Sequence, residues 1–92
     1  GCTLPTALGG TATGGASQQF CIGNGASSGR TASTGVITVT AASGDYIMNA
    51  SGTFGSSGGT EVSGGAAADQ GCFISMQPNQ WRFVPVKGTW TP

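Results

Sequence analysis

The chain has 92 residues, and only 7% of them are charged: three cationic and three acidic side chains, no histidine, and a formal net charge of zero. Without histidine, the one side chain that titrates near neutrality unaided is missing, and the only three carboxylates, Asp45, Glu61 and Asp69, are scattered and never adjacent. This inventory argues against an enzyme. It also argues against nucleic-acid binding or polybasic membrane attachment, and no run approaches the 18 apolar residues of a membrane span.

The length allows one domain with a thin core. Gly, Ala, Ser and Thr supply 51 residues, while Val, Ile, Leu, Met, Phe, Trp and Tyr together supply 20. A domain of this size buries only about 60–65% of its unfolded surface, so a lone monomer would be marginal. Help is expected from a disulfide, self-association or a partner surface. A chain that starts on Gly1 is expected to have lost upstream residues, by processing or by truncation.

Residues 1–17 have no periodicity, and Pro5 and Gly9-Gly10 interrupt the only large apolar pair, Leu4 and Leu8. The expectation is an extended N-terminal arm, followed by a single β domain over residues 18–92. Gln18–Ile22 reads as a strand ended by Gly23-Asn24-Gly25, a sequence suited to a type I′ hairpin turn. After a polar loop, Val36–Thr40 is wholly β-branched, with Ile37 and Val39 on one face. Ser43-Gly44-Asp45 reads as a turn and Tyr46–Ala50 as the partner strand, making residues 36–50 a candidate hairpin. Thr53-Phe54 continues or restarts a strand. Glu61-Val62 suggests a brief edge strand, and Ala66–Gln70 a single helical turn.

The C-terminal quarter is the second dense region. Cys72–Met76 reads as a strand with Cys72, Ile74 and Met76 on one face, and Gln77–Gln80 as a turn with Pro and Asn in favoured places. Trp81–Val86 follows as a strand whose Pro85 belongs at an edge or a bulge. Trp90 lies on a short final segment. About six short strands with long Gly-rich loops and almost no helix signal predict an all-β fold, a small sandwich or a jelly-roll-like barrel.

Three thiols cannot all pair within one chain. Cys21 and Cys72 each sit in a strand beside a Phe, which places both near the core. A bond between them would stabilise the fold by about 4 kcal/mol in the chain-entropy model; the alternative is two buried free thiols. Cys2 is the odd one, either a link between subunits or an inert exposed thiol. The cysteines are too widely spaced for a zinc knuckle, no histidine completes a set, and no GxxxxGK[ST] loop occurs, so neither a metal nor a cofactor is expected.

Phe73, Met76, Trp81, Phe83 and Trp90 form an aromatic and Met cluster, with Arg82 between Trp81 and Phe83. Interfaces favour these residue types, and both faces of the 81–86 strand carry large side chains. The expected interface is therefore Trp81, Arg82, Phe83 and Trp90, with Leu4 and Leu8 on the arm.

The stretch VITVTAASGDYIMNASGTFG resembles the small β-rich decoration (cement) proteins of tailed-phage heads, which run strand, Ala-Ser-Gly-Asp turn, strand, then Gly-rich loop. The resemblance implies a homo-oligomer, typically a trimer, seated on a lattice of major capsid protein at the virion surface and gripping coat subunits through an N-terminal arm. Two alternatives stand beside it. One is an exported subunit of a pilus-like filament at the cell surface, linked through Cys2. The other is a secreted carbohydrate-binding module that stacks sugars on Trp81 or Trp90.

Overall fold

A computed structural model describes residues 2–8, 18–28, 31–32 and 34–92. Among the described residues the secondary structure is all β, with ten strands: β1 (Cys2–Thr3), β2 (Gln18–Gly23), β3 (Ala26–Ser28), β4 (Thr31–Ala32), β5 (Thr38–Thr40), β6 (Tyr46–Met48), β7 (Thr60–Ser63), β8 (Gln70–Gln77), β9 (Gln80–Lys87) and β10 (Trp90–Thr91). They form two mixed four-stranded sheets, ordered β1-β5-β7-β10 and β2-β8-β9-β6, plus the small ribbon β3-β4. Neither sheet closes on itself, so the barrel expectation does not hold, and the described strands number ten against the expected six or so.

The β8-β9 hairpin is the backbone of the second sheet. Pro78 and Asn79 make its two-residue turn, and Asn79 takes φ 66°, which places Pro and a left-handed residue where a type II turn requires them. Pro85 pairs with Gly71 beside a register shift, beyond the reach of β6, which covers only Gln80–Arg82. Its missing N–H therefore costs no ladder bond, as the sequence leads one to expect.

The expected hairpin over residues 36–50 is not formed. β5 pairs with β1 and β7, whereas β6 joins the other sheet and runs parallel to β9. The turn between them, closed by Asp45 N–H donating to the Ala42 carbonyl, carries the chain from one sheet to the other. Phe54 meets Met48 in an isolated bridge instead of restarting a strand. Asn24-Gly25 likewise joins strands of different sheets, and neither residue has positive φ, so no type I′ turn forms there. Ala66–Asp69 is one tight turn with Ala68 at φ 62°, not a helical turn.

One core cluster draws on both sheets: Leu4, Ala7, Val39, Ala41, Ile47, Phe73, Trp81 and Phe83, with Ile22, Ile37 and Trp90 packed against it. Phe83 sits 5.0 Å from Phe73 and 4.9 Å from Trp90, ring centroid to ring centroid. Leu4 and Ala7 are buried and β1 is paired, so residues 2–8 of the expected arm belong to the domain. Residues 9–17 of that arm lie outside the described residues.

Candidate interaction surface

Alternation along β8 and β9 decides which side chains reach solvent. Gly71, Phe73 and Ser75 point inward with Trp81 and Phe83; Cys72 and Ile74 point outward with Arg82 and Val84. Register then lays out the outer face in rows. Cys21, Cys72 and Val84 form one row, and Gln19, Ile74, Arg82 and Met48 the next. Phe54, bridged to Met48, borders that second row. Around Arg82 these residues line a groove of about 210 Å³, walled by Met48, Phe54 and Ile74 and edged by Gln77 and Gln80. Trp81, though only 1% exposed, forms part of its wall, and its indole N–H is buried with no acceptor among the described residues. Tyr46, Phe54, Val84 and Val86 are exposed around or beyond the groove.

The electrostatics follow from where the acids went. Asp45, Glu61 and Asp69 are all buried, whereas Arg82 and Lys87 are exposed on β9. Among the described residues, then, every exposed charged side chain is cationic. Asp45 serves as a fastener: one oxygen accepts the Ala7 N–H at 2.7 Å, the other the Asn79 side-chain amide at 2.8 Å. Asn79 returns the contact, its N–H donating to the Ala7 carbonyl and its own carbonyl accepting the Tyr46 N–H. Asp69 closes its own loop by accepting the Gly65 and Ala66 N–H groups on one oxygen, both at 3.0 Å. Its other oxygen lies against Gly88, whose φ of 97° and lack of a side chain make the approach possible. Glu61 faces the core from β7 beside Val39, and burial pushes its carboxyl above the ordinary range.

The expected interface residues divide. Arg82 and Leu8 are exposed, and Trp90 is half-buried with its ring on Phe83 and its indole N–H donating to the Lys87 carbonyl. Trp81, Phe83 and Leu4 are corrected from interface to core, each at 2% exposure or less, because the inward face of β9 is already covered within the chain. Trp81 is thereby unavailable as a sugar-stacking platform. The side chain of Met76 lies outside the described ones. Sequence reading missed Met48, Phe54 and Ile74 as neighbours of Arg82, since a parallel β6-β9 pairing leaves no mark in either strand.

Cys21 and Cys72 are bonded, but not in the core. They are register partners on the outer face of the second sheet, Cys21 exposed and Cys72 half-buried, with Phe73 on the opposite side of β8. Cys2 is free, half-buried, and held in β1 rather than on a loose tail. Among the described residues no group of three or more His, Cys, Asp or Glu side chains is placed to hold a metal ion, and no helix is long and apolar enough to cross a membrane. No protein-family model, curated protein or solved structure matches the chain.

Proposed function

We propose that the chain is a non-catalytic assembly subunit that seats the outer face of its second sheet on a larger protein lattice, as a capsid decoration subunit does at a virion surface. The observation that supports this best is the pairing of an apolar outer face with one-signed charge. Met48, Phe54, Ile74 and Val84 surround Arg82, while all three carboxylates are internal. An exposed Arg between apolar walls suits a carboxylate on a coat subunit, held by a charge-assisted hydrogen bond with an apolar side chain beside it. The single core shared by both sheets supports a sandwich-like packing that leaves this face on the outside.

The test takes capsids of the virus that encodes the chain, stripped of decoration and incubated with purified protein. Saturable co-sedimentation is expected, weakened at least about tenfold by Arg82→Glu or Ile74→Lys, as for truncation of a central interface contact. Protein that stays in the supernatant, or variants that bind as well as the parent, would overturn the reading. The Cys21–Cys72 bond favours one second reading, an exported filament subunit, because disulfides persist in oxidising surroundings. Recovery of the chain in purified surface filaments instead of virions would select it.

A further inference from the structure

The edges of the two sheets are protected very unequally. β1 and β10 offer two residues each, β6 three, and the uncovered half of β9 carries Pro85 and Lys87, which discourage strand addition. β2 is different: six residues, Gln18–Gly23, with no charge and no proline, paired among the described residues only with β8. We propose that β2 pairs antiparallel with β2 of a second copy of the chain, across a two-fold axis at Cys21.

The register can be read from the structure. In an antiparallel pair, directly opposed residues alternate between hydrogen-bonded partners about 5.5 Å apart at Cα and non-bonded partners about 4.5 Å apart. Cys21 and Cys72 lie 4.0 Å apart at Cα, so they are a non-bonded pair. The backbone N–H and C=O groups of Cys21, and by alternation those of Gln19 and Gly23, therefore point away from β8. Pro85 gives an independent check. The same alternation, carried across β8, makes Cys72–Val84 a bonded pair and Gly71–Pro85 a non-bonded one, which turns the proline nitrogen away from β8, where no N–H is needed. Among the described residues, no backbone hydrogen bond engages Gln19, Cys21 or Gly23 on their outward side.

A second β2 fits this row without a clash of charge or register. With the axis at Cys21, Gln19 faces Gly23 of the other copy and Cys21 faces its own equivalent. That gives three bonded pairs, each closed by two N–H···O=C bonds. Between them Phe20 meets Ile22 of the other copy at a close, non-bonded position. Phe20 is 37% exposed in one chain and Ile22 is only partly buried against the core, so the contact covers apolar surface that a single chain leaves wet. The disulfide anchors β2 to β8 and holds this edge ready for pairing. The contact is isologous and closes at two chains, whereas the resemblance to decoration proteins implies three.

The test is amide hydrogen exchange on the whole chain, read residue by residue, alongside sedimentation equilibrium. On dilution from about 1 mM to about 10 μM, the Gln19, Cys21 and Gly23 amides should lose at least about tenfold in protection as dimer gives way to monomer; Phe20 and Ile22, bonded to β8, should not change. Gln19→Pro removes an outward N–H without touching the β2-β8 ladder and should leave a monomer, while Gln19→Ala should still dimerise. A chain that sediments as a monomer at the higher concentration overturns the proposal, as does protection of those three amides that ignores concentration. Neither measurement uses a lattice. A monomer that still coats capsids removes this contact and leaves the proposed function standing, and a dimer that coats nothing does the reverse.

Discussion

Gly71→Ala should be damaging although it adds a single methyl group. Gly71 points inward from β8, and a Cβ built on it would lie 2.4 Å from Cε1 and 2.8 Å from Cζ of Phe83, and 3.3 Å from Cζ2 of Trp90. Ordinary carbon contact begins near about 3.5 Å, so the Phe83 ring must retreat by about 1 Å. It has nowhere to go, being 2% exposed and pressed between Phe73 and Trp90. Overpacking of this kind costs about 1–3 kcal/mol, occasionally more. The gain from a less flexible unfolded chain returns about 0.4–1 kcal/mol, leaving a net loss of about 1.3 kcal/mol at mid-range. For a domain this small, that lowers Tm by about 5–10 °C. Thermal unfolding followed by Trp fluorescence and far-UV circular dichroism reads it directly. Gly25→Ala is the control, since no atom lies within 4 Å of its Cβ position and its φ is not positive. Adding Phe83→Leu to Gly71→Ala should recover part of the loss, a non-additivity that marks the two residues as touching. A Gly71→Ala protein melting within about 2 °C of the parent would refute the packing argument.

Three further outcomes follow from the same structure. Replacing Cys21 and Cys72 together with Ala opens a loop of sequence separation 51 and should cost about 4 kcal/mol, measured by urea unfolding of oxidised parent and variant; a loss under about 1 kcal/mol would contradict it. Asp45→Ala strands the Ala7 N–H and the Asn79 amide and should cost about 3–5 kcal/mol, with exchange of the Ala7 amide accelerated; an unchanged amide would show that the fastener is idle. Glu61 has a folded pKa raised above its ordinary value of 4.5 by burial, so its native state holds the proton more tightly than the unfolded chain does. Stability contributed by the protonated form is lost as pH rises from about 4.5 through the folded pKa. Glu61→Gln should therefore gain on the parent in denaturant titrations at pH 7 and lose that advantage toward pH 4. A gain equal at both values would exclude the burial account.

Local chemistry was legible in the sequence, and pairing partners were not. Pro78-Asn79 marked its turn because ring closure and tolerance of positive φ act within two residues. Pro85 marked an edge for the same kind of reason, and the alternation of Ile37 and Val39 pointed to the buried side of β5. The cysteine pairing was open to arithmetic on three thiols, but its direction was not. Neighbouring Phe residues suggested the core, whereas alternation puts Phe73 and Cys72 on opposite faces of one strand. The hairpin over residues 36–50 failed on a longer-range fact. Asp45 turns its carboxylate toward Ala7 and Asn79, far away in sequence, and the chain crosses between sheets to let it.

Burial of the acids connects the thin core with the surface. A chain rich in Gly, Ser and Thr has many loop N–H groups that no strand ladder pairs. Carboxylates are the strongest acceptors available for such donors, and Asp45 and Asp69 between them hold three of these backbone N–H groups, from Ala7, Gly65 and Ala66. Once the acids are inside, the formal neutrality of the sequence no longer describes what a neighbour meets. The described surface presents Arg82 and Lys87 against apolar ground, with no exposed carboxylate to answer them. Two exposed cations give a weak, short-ranged field at physiological salt, too little to steer a distant partner. They can still set register once apolar surfaces touch. A protein built this way should bind its lattice with little sensitivity to ionic strength and marked sensitivity to Ile74 and Val84, whereas strong salt dependence would mean that charge, not the apolar face, supplies the grip.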